Sequence, residues 1–177
     1  MAIYNRAVLR DARGRILVLD LSVPSIVSFA FMTVALLVFS LLDLRDGVVP
    51  NRILLAFGAV GVAVAALSGH ISRDWILHLV AVTTFLLLGY TLFRQGAIGG
   101  ADFKAAIILG AVSPGLEMGS WADPVFEAFI SSATELALML LFGYVLWRVF
   151  RQRQLGTTPL IPGLLAAYLI IQVLAVF

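Results

Sequence analysis

The stretch 22–42 carries no charged residue. A helix of about 20 apolar residues is what crosses the hydrocarbon of a bilayer, so this one run already removes a soluble globule from consideration. Further apolar runs follow at 53–68, 75–93, 105 to about 116, 125–150 and 160–177. Only 12% of the 177 residues are charged, roughly half the share of a soluble domain, and the mean hydropathy is +1.05. Together the runs predict an all-α, polytopic membrane bundle of about six transmembrane helices, built as one domain over residues 22–177. The fourth run is short and stops at Ser113-Pro114-Gly115, which predicts a broken or partly spanning helix. The second is rich in Gly58, Gly61, Ala63, Ala65 and Ala66, a density of small residues that favours close helix–helix approach.

Residues 1–21 read as an extramembrane or interfacial segment. With Arg6, Arg10, Arg13 and Arg15 it is too charged for a cleavable signal peptide. Val8-Leu9-Arg10 and Arg15-Ile16-Leu17-Val18-Leu19 flank Asp11-Ala12-Arg13-Gly14, the pattern of a small β-hairpin around a glycine-containing turn; an amphipathic surface segment is the alternative. Without cysteine the chain has no disulfide, thiolate metal site or cysteine nucleophile. His70 and His78 are too few for a histidine-built metal site, and no metal or organic cofactor is expected. A net charge of +2 gives no basic field for nucleic acid.

Charge distribution suggests a topology. If Asp43, closing the first span, faces the cytoplasm, then Arg45, Arg52, Arg94, Lys104, Arg148, Arg151 and Arg153 lie on the cytoplasmic side. Arg73, Asp74, Glu117 and Asp123 lie on the other. The internal loops then follow the positive-inside rule, and the amino-terminal arginines run against it. Trp75, Trp121 and Trp147 fall near span ends, as an interfacial aromatic belt requires.

The chemistry rests on two aspartates. Asp43 lies in Asp43-Leu44-Arg45-Asp46-Gly47-Val48-Val49-Pro50-Asn51, and Asp102 in Gly99-Gly100-Ala101-Asp102-Phe103-Lys104. Two crossings separate them, so both face the same side. Carboxylates beside hydrocarbon are costly and mark function; two within a few ångströms share one proton, the device by which an acid pair activates water and protonates a leaving group. Gly99 and Gly100 leave room for backbone to approach, while Gly47 and Pro50 make the segment after Asp43 a turn that starts the second span. A helix cap or a solvated interfacial residue is the plain reading of each aspartate.

These motifs resemble those of the type IV prepilin peptidases. Asp43, seven residues before Pro50-Asn51, is similar to their first signature, and Gly99-Gly100-Ala101-Asp102-Phe103-Lys104 is similar to the second, Gly-x-Gly-Asp-x-Lys. The similarity extends over about 36–177 and takes in Pro159-Leu160-Ile161-Pro162. It implies a membrane-embedded aspartic endopeptidase that removes the short basic leader of type IV prepilin-like or preflagellin precursors at the cytoplasmic membrane face. Asp43 and Asp102 would be its catalytic residues, supported by Pro50, Asn51, Gly99, Gly100, Ala101 and Lys104. Ala101 replaces the second glycine of the signature, a variant that resembles the archaeal branch and restricts the local turn. The cysteine-containing cytoplasmic domain of many larger bacterial members has no counterpart here, so their amino-methyltransferase activity is not implied. The expected partners are the precursor protein and the lipid bilayer.

Other polar residues compete for roles. Asp46, beginning an Asp-Gly turn dipeptide, suits a turn or cap. Glu135, near the middle of the fifth span, is either hydrogen-bonded to Ser, Thr or His78 of a neighbouring helix, or part of a polar groove or proton path. Glu127 reads as interfacial, His78 as a helix–helix hydrogen bond, and Lys104 as an interfacial anchor or a cation that biases Asp102. No serine lies in a Gly-x-Ser-x-Gly context. The rival function is a small proton or cation transporter or channel subunit, in which Asp43, Asp102 and Glu135 form a relay. A relay needs acids spaced through the membrane depth, and a peptidase needs two at one level.

Overall fold

A computed structural model of the protein describes residues 6–10, 16–20, 22–117, 123–150 and 159–175. Trp121, Arg151, Arg153 and the residues 11–15 between the two apolar stretches of the amino-terminal segment lie outside these. Strands β1 (Arg6–Arg10) and β2 (Ile16–Asp20) pair antiparallel, with Val8 opposite Val18, the expected hairpin.

The first helix, α1 (Val23–Asp46), starts where the Ser22 hydroxyl accepts the N–H of Ser25 and ends at Gly47, whose φ of 67° turns the chain left-handed. It runs one turn beyond the expected end of the first span, because the Gly47 N–H still closes a bond of 3.0 Å onto the Asp43 carbonyl. Asp43 therefore stands inside the last turn. Helix α2 (Asn51–Leu67) follows a four-residue connection, with Pro50 as its N-cap and Asn51 as its first helical residue. The short α3 (His70–Arg73) follows Gly69, with φ of 81°, and leads into α4 (Trp75–Arg94). Then come α5 (Gly100–Val112), α6 (Pro124–Phe150) and α7 (Ile161–Leu174).

Three of these, α1, α4 and α6, are long and apolar enough to cross a membrane; α2 and α7 are shorter apolar helices. Helix α5, at about 1.5 Å per residue, covers roughly 20 Å of a hydrocarbon layer about 30 Å thick. It stops where expected, at Ser113-Pro114-Gly115, and Gly115 has a φ of 72°. Packing runs around a closed ring, α1–α2–α5–α4–α6–α7 and back to α1, with α5 also touching α1 and α7 across it. The inward stripe of α1 is Met32, Ala35, Leu36 and Phe39, the i, i+3, i+4, i+7 spacing of one helix face. Its outward face, including Val34, Leu37 and Leu41, stays exposed. An apolar exterior on apolar helices belongs in lipid, and the molecule is a membrane protein.

Small residues set the closest contacts. A Cβ added at Gly110 would meet backbone atoms of Ala81 and Val82 at 3.1 Å, so this glycine lets α5 lie directly against α4. In α2 the expectation holds for Gly58, Gly61 and Ala65, whereas Ala63 and Ala66 point outward.

Candidate active site

Helical spacing explains why two carboxylates are buried. Asp43 continues the inward stripe of α1, one turn after Phe39, and is 8% exposed. Asp102 opens the inward stripe of α5 that continues through Ala105, Ala106 and Leu109, and is 7% exposed. Asp46 and Lys104 fall off those stripes. Asp46 is solvent-facing and lies 3.6 Å from the Arg45 guanidinium, in keeping with a helix-end role.

Each buried carboxylate is held by backbone from a defined direction. The N–H of Ile161, at the start of α7, donates to Asp43 Oδ2 over 3.3 Å, so a side chain from α1 satisfies one of the orphan donors of α7. Asp102 folds back over its own helix start, where the Gly99 N–H donates to its Oδ2 at 2.8 Å, a capping-box closure in the favourable field of the helix N-terminus. Gly99 is required for this: a Cβ there would sit 2.8 Å from Asp102 Oδ2. The glycine makes room for the carboxylate of its own motif. Gly100, whose added Cβ would make ordinary contact with Phe93 at 3.7 Å, is under no such pressure. Ala101 lies in the first turn of α5, and all positive-φ positions among the described residues are glycines. An alanine is at home in that geometry, so the substitution costs the turn nothing.

Burial pushes the Asp102 carboxyl up to about 6; the Gly99 N–H opposes the shift, and the charge of Asp43 adds to it. Asp102 thus senses the charge of Asp43 across the ring. Neither has an ion-pair partner among the described residues. Lys104 turns away from Asp102 and donates to Asn51 Oδ1 at 2.7 Å, tying the start of α5 to the start of α2. Of the two readings of Lys104, the biasing cation is the one this geometry disfavours. Its contact joins residues of the two motifs, with Pro50 adjacent.

Glu127 differs from expectation, and of the two readings of Glu135 the hydrogen bond to a neighbouring helix is not formed among the described residues. Glu135 is buried on the inward face of α6, and its Oε1 has no hydrogen-bond partner among the described residues. His78 is not its partner, because both ring nitrogens of His78 are taken: Nδ1 meets the Ala111 carbonyl at 3.0 Å and Nε2 meets His70 at 2.9 Å. The first of these is the expected helix–helix bond, from α4 to α5. Glu127 is buried, not interfacial, since its Oε1 accepts the Leu116 N–H at 3.1 Å beneath the turn that follows α5.

A polar cluster that the sequence reading passed over lies at the other end of the bundle. There Ser113 donates to Glu117 at 2.9 Å and meets the Tyr168 hydroxyl at 2.6 Å, while Gln172 accepts the Glu117 N–H and donates to the Gly115 carbonyl. The available signal was Tyr168 and Gln172 spaced i, i+4 in an otherwise apolar run. Glu135 senses the charge of Glu117 and belongs with this group. Asp43 and Asp102 thus lie at one end, Glu117 at the other, and Glu135 midway along α6. Among the described residues no three His, Asp or Glu side chains converge as metal ligands.

The profile of the type IV leader peptidase family matches residues 30–176, which includes both aspartate motifs, most of α1 and every later helix. No curated protein and no solved structure matches the chain.

Proposed function

Because the chain belongs to the type IV leader peptidase family, we propose that Asp43 and Asp102 are its catalytic pair and that it is an aspartic endopeptidase. The observation that carries this reading is the pair itself: two buried carboxylates from different helices, at one end of the ring, each held by a backbone donor, with the charge of Asp43 felt at Asp102.

In the proposed mechanism the pair shares one proton. The ionised member takes a proton from water as the water oxygen attacks the scissile carbonyl. The protonated member polarises that carbonyl and then donates to the leaving amine. The pair titrates as a unit, so the two roles belong to it jointly. The substrate is a type IV prepilin-like or preflagellin precursor, its apolar helix in the bilayer and its basic leader in the cytoplasm. Orientation with the aspartates cytoplasmic is supported by Arg45, Arg52, Arg94, Lys104 and Arg148, all at span ends on that side. Asp43 and Asp102 at one level, with only Glu135 deep in the bundle, favour a paired site over a relay of acids spaced through the membrane.

Co-expression of a candidate precursor with wild type, Asp43→Asn, Asp102→Asn and Asp46→Asn, followed by gel mobility of the precursor, tests the proposal. Leader removal is expected from wild type and Asp46→Asn and not from the other two. Processing retained in both Asp43→Asn and Asp102→Asn would overturn the mechanism.

A further inference from the structure

The peptidase chemistry makes no use of the buried network at the end away from the aspartates. His70 in α3, His78 in α4 and Glu117 in the turn after α5 are all buried. They form a line: the Ala111 carbonyl to His78 Nδ1 at 3.0 Å, His78 Nε2 to His70 Nδ1 at 2.9 Å, and His70 Nε2 to Glu117 Oε2 at 2.7 Å.

Counting hydrogens along this line fixes its charge. A neutral imidazole has one N–H and one lone pair. A carbonyl only accepts, so His78 Nδ1 carries a hydrogen. If His78 is neutral, its Nε2 accepts and His70 Nδ1 donates. The hydrogen between His70 Nε2 and Glu117 then sits either on the ring, giving imidazolium and carboxylate, or on the acid. If instead His78 is the imidazolium, its Nε2 donates to His70 Nδ1, and His70 Nε2–H donates to the carboxylate. All three arrangements close every bond, and all three carry one proton beyond two neutral rings and a carboxylate. With that proton gone, two acceptors face each other somewhere on the line. With one more, two hydrogens do.

We propose that His78, His70 and Glu117 are a three-place binding site for a single proton, and that holding this one proton locks the end of the bundle opposite the aspartates. The groups around it are accounted for. Asp74 lies 3.9 Å from His70 Nδ1 and accepts from Arg73 Nε at 2.6 Å, and Arg73 also reaches Ser22 and Ser25 at the start of α1. From α6, Glu135 opposes a charge on Glu117, and Glu127 holds the Leu116 N–H. From α7, the Tyr168 hydroxyl donates to Ser113, whose own hydrogen goes to Glu117. Burial raises the Glu117 carboxyl, partly offset by its bonds to His70 and Ser113, which keeps a proton available to the line. The lock joins α3, α4, α5 and α7. Helix α5 carries Asp102 at its far end and α7 receives Asp43 at its far end, so the proton count bears on both helices that set the acids.

Proton linkage gives the test. An unfolded chain releases protons from Glu near pH 4.3 and from His near 6.5. Around pH 8 the folded site holds one proton and the unfolded residues hold almost none, so stability falls as pH rises. Glu117→Gln removes this dependence. Its amide donates to His70 Nε2, His70 Nδ1–H donates to His78, His78 Nδ1–H donates to Ala111, and the amide oxygen still accepts from Ser113. Every bond is closed with no removable proton.

The experiment follows unfolding of the full chain in detergent between about pH 7.5 and 9 for wild type and Glu117→Gln. Relative to the variant, the wild-type unfolding constant is expected to rise about tenfold per pH unit, the slope for one proton. Parallel pH profiles would overturn the proposal. A second measurement guards against a variant that does not fold: ¹⁵N-histidine spectra of the wild type, in which His70 and His78 supply all the ring nitrogens. One common titration step shared by both rings is expected, and two independent steps would overturn the site.

Discussion

The two ends of this bundle handle buried acids in opposite ways. At the opposite end, Glu117 has both oxygens bonded, one by His70 and one by Ser113, and its own N–H taken by Gln172. At the aspartate end, Asp43 and Asp102 have no ion-pair partner among the described residues, and each uses its Oδ2 for a backbone donor. A closed network fixes helices in place. An open pair leaves carboxylate oxygens available to water and substrate and keeps Asp102 sensitive to the charge of Asp43. The difference teaches that buried acids of one bundle can be closed into a network or left open, and the open pair is the one proposed here for catalysis.

The largest expected effect separates the ends by activity. Asp43→Asn and Asp102→Asn each lower leader removal by at least about 10²–10⁴-fold, the range of general acid–base contributions, while Glu117→Gln stays within a few-fold of wild type in the same gel assay. Stability separates them in the other direction. His70→Leu leaves Glu117 buried without its partner and is expected to cost about 3–5 kcal/mol, read from unfolding in detergent, whereas Asp43→Asn costs far less.

The aspartate end has its own pH signature. The Asp102 carboxyl is raised from 3.8 to about 6, so between these values the folded protein binds more protons than the unfolded chain. Stability contributed by the protonated acid is present below the lower value and lost as pH rises toward the upper one. Asp102→Asn removes that loss and is expected to be more stable than wild type at pH 7, by up to about 3 kcal/mol, with a flatter unfolding profile between pH 4 and 6. An unchanged profile would mean that Asp102 is not buried as described.

Gly99→Ala sharpens the site further. Its Cβ would press on Asp102 Oδ2 at 2.8 Å, and activity is expected to fall about tenfold to a hundredfold through misplacement with a small change in stability. Lys104→Met is the mildest: it removes an exposed bond to Asn51, with a stability cost of at most about 1 kcal/mol and a several-fold drop in leader removal.

Much of this was legible in the sequence. The apolar runs marked the helices because a bilayer accepts little else, and the break at Ser113-Pro114-Gly115 was visible as turn chemistry. The amino-terminal hairpin showed itself as two β-rich stretches around a glycine, and Asp43 and Asp102 stood out as acids at span ends on one face. Boundaries were less exact: α1 continues past Leu42 because Gly47, not the end of the apolar run, supplies the left-handed cap.

What only the tertiary structure decided concerns partners. Glu127 reads as interfacial, and Glu117 as one more acid on the side opposite the aspartates, because nothing local shows that the turn after the short α5 folds inward over them. Glu135 was given His78 as a candidate partner, although His70, brought in by the α3 turn, takes that ring. Gly99 reads as room for an approaching backbone, and in the structure the space it leaves is taken by the carboxylate of Asp102. The sequence by itself determined which segments form apolar helices and which of their faces turn inward, because hydropathy and helical spacing act within a single run. Hydrogen bonds between residues far apart in the chain, such as Ile161 to Asp43 and His70 to Glu117, depend on how the ring of helices closes, and only the closed ring reveals them.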